Sequence, residues 1–157
     1  MKKVSFLLSI SLLLLPLVGC QQKNEIVIED EIGRPKTPYP PEDAIENGDI
    51  VNLHGKLSNV QRFETFIENV THATKDNIRI TIYTVEGAPI FYDLQYDGNK
   101  LHYTYDDSRD GFGGPDIGIK DTTCSEIVST PVNQGVMYEL RDCLDEVGQT
   151  FNFVISD

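Results

Sequence analysis

Ile78-Arg79-Ile80-Thr81-Ile82-Tyr83 opens a stretch whose apolar period is two, continued by Ile90-Phe91-Tyr92-Asp93-Leu94-Gln95-Tyr96 and by Leu101-His102-Tyr103-Thr104-Tyr105. Short alternating runs rich in Ile, Tyr and Thr read as half-buried strands of an antiparallel sheet. Glu86-Gly87 and Asp97-Gly98-Asn99 lie between them as hairpin turns, the second with the Asp-Gly pair that tolerates positive φ. Parity assigns faces: Tyr92, Tyr96, Tyr103 and Tyr105 share theirs with Ile and Leu and point inward. Tyr83 opposes the isoleucine face and is expected outward. So many tyrosines suit either a core of high β propensity or an interface that uses an apolar ring with a polar tip.

Upstream, the period changes. Val60, Phe63, Phe66, Ile67 and Val70 recur at helical spacing and predict an amphipathic helix from about Asn59 to His72. Ser58-Asn59-Val60-Gln61 has the form of a capping box. A shorter helix is expected from Pro41 to Asn47, ending at Gly48. The helix has one apolar stripe to bury, and the sheet supplies a face for it.

Downstream, Cys124 and Cys143 stand symmetrically about Asn133-Gln134, within the turn-forming segment Pro131-Val132-Asn133-Gln134-Gly135. A hairpin centred there sets the two cysteines opposite one another, Glu126 opposite Arg141, and Ile127 opposite Leu140 on the other face. A last strand is expected over Thr150 to Ile155. The fold class is therefore α+β: one or two N-terminal helices packed on an antiparallel sheet of about six strands.

The first twenty residues concern location. Lys2 and Lys3 precede an apolar run that closes on Leu17-Val18-Gly19-Cys20. A charged tip, about ten apolar residues and a small residue before the cut make a secretory signal. Here it resembles the lipobox of bacterial lipoproteins, in which the Cys receives diacylglycerol. An uncleaved membrane anchor is the alternative, but Val4 to Val18 is short for a span and contains Pro16. The expected organisation is residues 1–19 as lipoprotein signal peptide, 20–38 as an acidic, proline-rich tether, and 39–157 as a single domain. The Glu25-Ile26-Val27-Ile28-Glu29 patch in the tether could instead add a strand to the sheet. Two acyl chains hold a protein stably in a bilayer at ~0.8 kcal/mol per buried methylene, whereas one chain holds only marginally. With Cys20 lipidated, Cys124 and Cys143 remain as one pair in a compartment that permits oxidation, the other possibility being two free buried thiols.

The chain carries 13 basic and 25 acidic residues, a net charge of −12, and cleavage removes two lysines and no acid. That field repels phosphate backbones and anionic headgroups, so nucleic acid is excluded as a partner and the lipid on Cys20 must supply the membrane attachment. A monomer on the outer face of the cytoplasmic membrane is expected.

Tyr39-Pro40-Pro41-Glu42-Asp43-Ala44-Ile45, Asn47-Gly48-Asp49-Ile50-Val51, Ile78-Arg79-Ile80-Thr81, Glu86-Gly87-Ala88-Pro89-Ile90 and the two late cysteines together resemble a family of Gram-positive lipoproteins, domain of unknown function family 4362. The resemblance covers roughly Tyr39 to Ile155. It implies a single lipid-anchored domain, and its motifs carry no assigned chemistry.

Catalytic patterns are weak. His54, His72 and His102 show no HxxxH or HxH spacing, there is no CxxC, and Gly-x-Ser-x-Gly is absent. His72 suits a helix C-terminus and His102 the solvent side of a strand. Gly111-Phe112-Gly113-Gly114 lacks the Lys-Ser/Thr of a phosphate cradle. The sharpest constellation is Asp106, Ser108 and Asp110 followed by Gly111, with Asp116 beyond: alternate oxygens and a glycine at the sixth position resemble the first half of a calcium loop. Ile117 stands where a bidentate Glu belongs, so a solvated loop competes with a weak calcium site, and no other cofactor is expected. These features point to a non-enzymatic, lipid-anchored domain that binds a protein or cell-envelope ligand. An inhibitor or immunity-type lipoprotein against a basic secreted hydrolase, and an enzyme of unrecognised type, are the alternatives.

Overall fold

Alternation sets the centre of the molecule. In the computed structural model, β1 (Ile50–Leu53), β2 (Lys56–Ser58), β3 (Asp76–Tyr83), β4 (Pro89–Tyr96), β5 (Leu101–Asp106) and β6 (Ile119–Cys124) form one sheet in the order β2-β1-β3-β4-β5-β6. The structure describes residues 38–156; Cys20 and the segments expected as signal peptide and tether, up to residue 37, lie outside them. The two expected turns close β3–β4 and β4–β5. In the second, Asp97 Oδ1 accepts from the Asn99 and Lys100 amides at 2.8 and 2.7 Å while Gly98 takes a φ of +95°.

The sheet is mixed, not wholly antiparallel as expected. β1 runs parallel to β3, with Val51 beside Thr81. The cause is α2 (Val60–Thr71), which carries the chain from one edge back to the middle; parallel neighbours need such a crossover. α2 lies within the expected limits, with Phe63 and Phe66 buried. Its start differs from the capping box. Ser58 ends β2, and Asn59 takes the left-handed conformation at φ +57°, which Asn tolerates. The Asn59 carboxamide donates to Ile45 O at 3.0 Å and Asp49 O at 2.8 Å, and Gln61 turns to Glu64. Arg62 holds the helix to the start of β3 through a two-point pair with Asp76, to which Asn69 also donates.

The C-terminal third departs further. β7 (Glu126–Val132), β8 (Gly135–Arg141) and β9 (Asn152–Ile155) form a second, three-stranded sheet in place of extra strands on the first. The hairpin register is the expected one, with Glu126 opposite Arg141 and Ile127 opposite Leu140. Thr150, expected in the last strand, closes a 3-10 turn over Glu146–Thr150. Cys124 belongs to the first sheet, paired with Leu101, and Ser125 alone separates it from β7. The disulfide to Cys143 therefore ties the sheets at their junction.

One face of the large sheet meets α2 and the small sheet in a core of Ile50, Phe63, Phe66, Ile78, Ile80, Leu94, Leu101, Tyr103, Leu140, Phe151 and Phe153. Tyr96 is buried there, and Tyr92 and Tyr105 pack against it, as parity requires. The other face is covered in part by α1 (Pro41–Glu46), which buries Ala44 with Tyr39, Val51, Tyr83 and Phe91. Tyr83 is consequently 4% exposed, which corrects its expected outward position. A strand flanked by a parallel neighbour and covered on both sides cannot keep a solvent face.

Candidate functional site

Two groups of chemistry-bearing side chains gather on the face beneath α1 and beside it. The first is a buried polar network. Asp49, at the entry to β1, accepts from Tyr39 Oη at 2.9 Å and from Thr81 Oγ1 at 2.6 Å. Tyr83 Oη donates to the Tyr39 carbonyl at 2.8 Å. One step along the sheet, Arg79 Nε and Nη2 grip Asp93 Oδ1 and Oδ2 at 2.6 and 2.8 Å, across the Arg79/Asp93 register pair. Burial pushes the Asp49 carboxyl above its ordinary value, opposed by the two hydroxyls and the Arg79 charge. Among the described residues no buried side-chain polar atom lacks a partner. These carboxylates are committed to structure, and a satisfied buried network fixes one arrangement of the strands it joins.

The second group is the loop from Asp107 to Gly118. Its oxygens serve its own backbone: Asp106 Oδ1 accepts from the Ser108 amide at 3.0 Å, Asp107 Oδ1 from Gly118 at 2.7 Å, and Asp110 Oδ1 from Phe112 at 3.0 Å. Arg109 sets its guanidinium 5.0 Å from the Phe91 ring centre, and Arg79 sits 5.2 Å from the same ring. That cation over the ring pins the loop to the sheet. Among the described residues no three His, Cys, Asp or Glu side chains group to hold a metal ion, Asp106, Asp110 and Asp116 included. The loop instead presents apolar surface. Phe112 is 80% exposed, with Ile117 at 41% and Ile119, where β6 begins, at 48%. Gly113 has no Cβ, which lets the Ile117 side chain lie against it.

The histidines stay apart. His54 occupies the β1–β2 turn and contacts Thr84 O at 3.0 Å, His72 closes α2 on Glu68 O at 2.8 Å, and His102 is exposed on β5 between Asp97 and Thr123. Cys124 and Cys143 are joined by a disulfide. Cys20 lies outside the described residues. Sequence reasoning missed Asp49, Arg79 and Asp93 as a unit because they are distant in the chain. It missed Phe112 too, although a signal was present: a large apolar residue among Gly111, Gly113 and Gly114 has little local structure to bury it.

Beside the disulfide runs an open groove of about 430 Å³, lined among others by Cys143, Leu144, Asp145, Gly148 and Gln149. No helix among the described residues is long and apolar enough to cross a membrane.

The geometry defines an acidic α+β domain of two sheets, stapled where they meet, with an apolar loop at one end of the larger sheet. The chain belongs to the family described as Domain of unknown function (DUF4362), whose model matches residues 47–139. No curated protein and no solved structure matches it.

Proposed function

We propose that this is a non-enzymatic binding domain, held on the outer face of the cytoplasmic membrane by a diacylglycerol on Cys20, which engages a protein or cell-envelope ligand through the Asp107–Gly118 loop. The observation that carries the reading is the exposure of Phe112 and Ile117 on a loop whose base is fixed, with Ile119 exposed where β6 begins just after it. Isolated apolar side chains on a surface are ordinary, whereas three exposed within eight residues of chain, two of them on a pinned loop, favour a contact surface. Pinning matters energetically, because a loop already ordered by Arg109 and the three aspartates loses little conformational entropy on binding. The lipid signal, the lipobox and the single pair of late cysteines support the extracytoplasmic location, and the monomer binds as such.

The acid around the loop supports a narrower reading, an inhibitor or immunity-type lipoprotein against a basic secreted hydrolase. Asp116 and Asp121 are exposed beside the apolar cluster. Complementary charge speeds the capture of a cationic partner.

The test is capture from envelope extracts by the wild-type domain and by Phe112→Ser, with activity assays on any hydrolase recovered. Ligand recovered by the wild type and lost by the variant is the expected outcome. Equal recovery by both would remove the loop as the binding surface.

A further inference from the structure

The two ends of the disulfide differ in access. Cys124 is fully buried at the end of β6, whereas Cys143 is partly exposed and lines the groove beside Leu144, Asp145 and Gln149. Gly148 packs directly against the bond on its buried side, where a Cβ would collide with Cys143 Sγ and Cβ, so access to Cys143 is from the groove. The geometry points to a thiol-exchange site: the Cys124–Cys143 bond is a substrate for an extracytoplasmic dithiol, which enters at Cys143. This goes beyond the binding function and rests only on the extracytoplasmic location proposed above.

Exchange proceeds by attack of a thiolate on one sulfur of the bond, with the other sulfur leaving, and access decides which is attacked. An incoming thiolate forms a sulfur–sulfur bond to Cys143 Sγ. The Cys143–Cys124 bond breaks, its electron pair departs on Cys124 Sγ, and that thiolate takes a proton from water. The second thiol of the reagent, as thiolate, then attacks its own sulfur in the mixed disulfide and releases Cys143. The protein gains two electrons and two protons, and the dithiol becomes a disulfide. Opening the bond removes the cross-link at the sheet junction, while the backbone through Ser125 and the shared core remain.

The groove also selects its reagent. Asp142, Asp145 and Glu146 line it, and the Arg141 beside them is paired with Glu139 at 2.8 Å. Anionic thiols are repelled there and cationic ones attracted, to an extent that salt screens.

The test uses the full chain carrying Cys20→Ser, so that no other thiol competes. Native protein is exposed to glutathione or to cysteamine, quenched early with N-ethylmaleimide and cut with trypsin. Cleavage after Lys120 and Arg141 places Cys124 in residues 121–141 and Cys143 in residues 142–157. The early adduct should lie on 142–157 with maleimide on 121–141, and cysteamine should react about tenfold faster than glutathione at low salt, converging at high salt. An adduct on 121–141, equal rates for the two thiols at low salt, or reaction only at denaturant concentrations that unfold the protein would each overturn the assignment.

Discussion

Phe63 joins the helix to both sheets, and its removal measures how much of the fold depends on that meeting. Its side chain is fully buried, its ring 4.8 Å from Tyr138 of β8 at an interplanar angle of 76° and 5.0 Å from Phe153 of β9. Phe63→Ala discards the transfer free energy of a buried aromatic and leaves a cavity that rigid sheet backbones on two sides cannot fill. Buried Phe to Ala costs about 3–5 kcal/mol. Against a total of roughly 5–15 kcal/mol for a domain, that is about a fifth or more of the margin. Part of the loss belongs to the aromatic contacts, worth about 0.5–1.5 kcal/mol each beyond area. The double variant with Phe153→Ala should therefore lose less than the two single variants combined, by about that amount. Urea unfolding reads the values; the chain has no Trp, so far-UV circular dichroism and tyrosine emission report the transition. Strict additivity, or a cost for Phe63→Ala below about 1 kcal/mol, would refute a core shared by α2 and the small sheet.

Labelling with a fatty-acid analogue should mark the wild type and not Cys20→Ser, whose released domain stays folded; equal labelling would sink the lipid assignment. Reduction of the Cys124–Cys143 bond, which closes a loop over a sequence separation of 19, should lower stability by ~3 kcal/mol in the chain-entropy model and lower Tm without unfolding the protein at 25 °C. An unchanged Tm after verified reduction would contradict that. Burial alone pushes the Asp76 carboxyl up, but Arg62, Asn69 and the Asn77 amide outweigh it and hold the group below its ordinary 3.8. With the folded value below the unfolded one, the stabilisation is complete above the unfolded value and is lost as pH falls through the folded one. Asp76→Asn should accordingly flatten the acid limb of stability, and parallel curves of urea midpoint against pH for variant and wild type would show that Asp76 contributes nothing.

The central strands were legible because Ile, Leu and Tyr alternate with polar residues and the turns carry Gly at positive φ. The late hairpin was legible to the residue, since Glu126/Arg141 and Ile127/Leu140 are complementary only in one register. What the pattern hid is the second covered face. Tyr83 is expected outward and Arg79 and Thr81 share its face, yet each is buried with its polar atoms satisfied, by the Tyr39 carbonyl, Asp93 and Asp49. Composition cannot distinguish a polar residue in water from one whose partner arrives from 32 or 44 residues away. The β1–β2 hairpin escaped because its turn is His54-Gly55, both at positive φ, where Asn-Gly is the usual signal. The division into two sheets left no mark either: Ser125 is the entire connection. Of the candidate site, the glycine-flanked Phe112 left a signal that went unused, and the polar network left none.

The parallel pairing of β1 with β3 also orders events in time. β3, β4 and β5 are neighbours through tight turns, so they can assemble by local closures. β1 can join only after α2 has brought the chain back, across a separation of about thirty residues whose loop entropy must be spent first. The nascent meander therefore exposes one flank of β3 until the crossover docks. During that interval the bare edge of β3 is open to pairing with another chain.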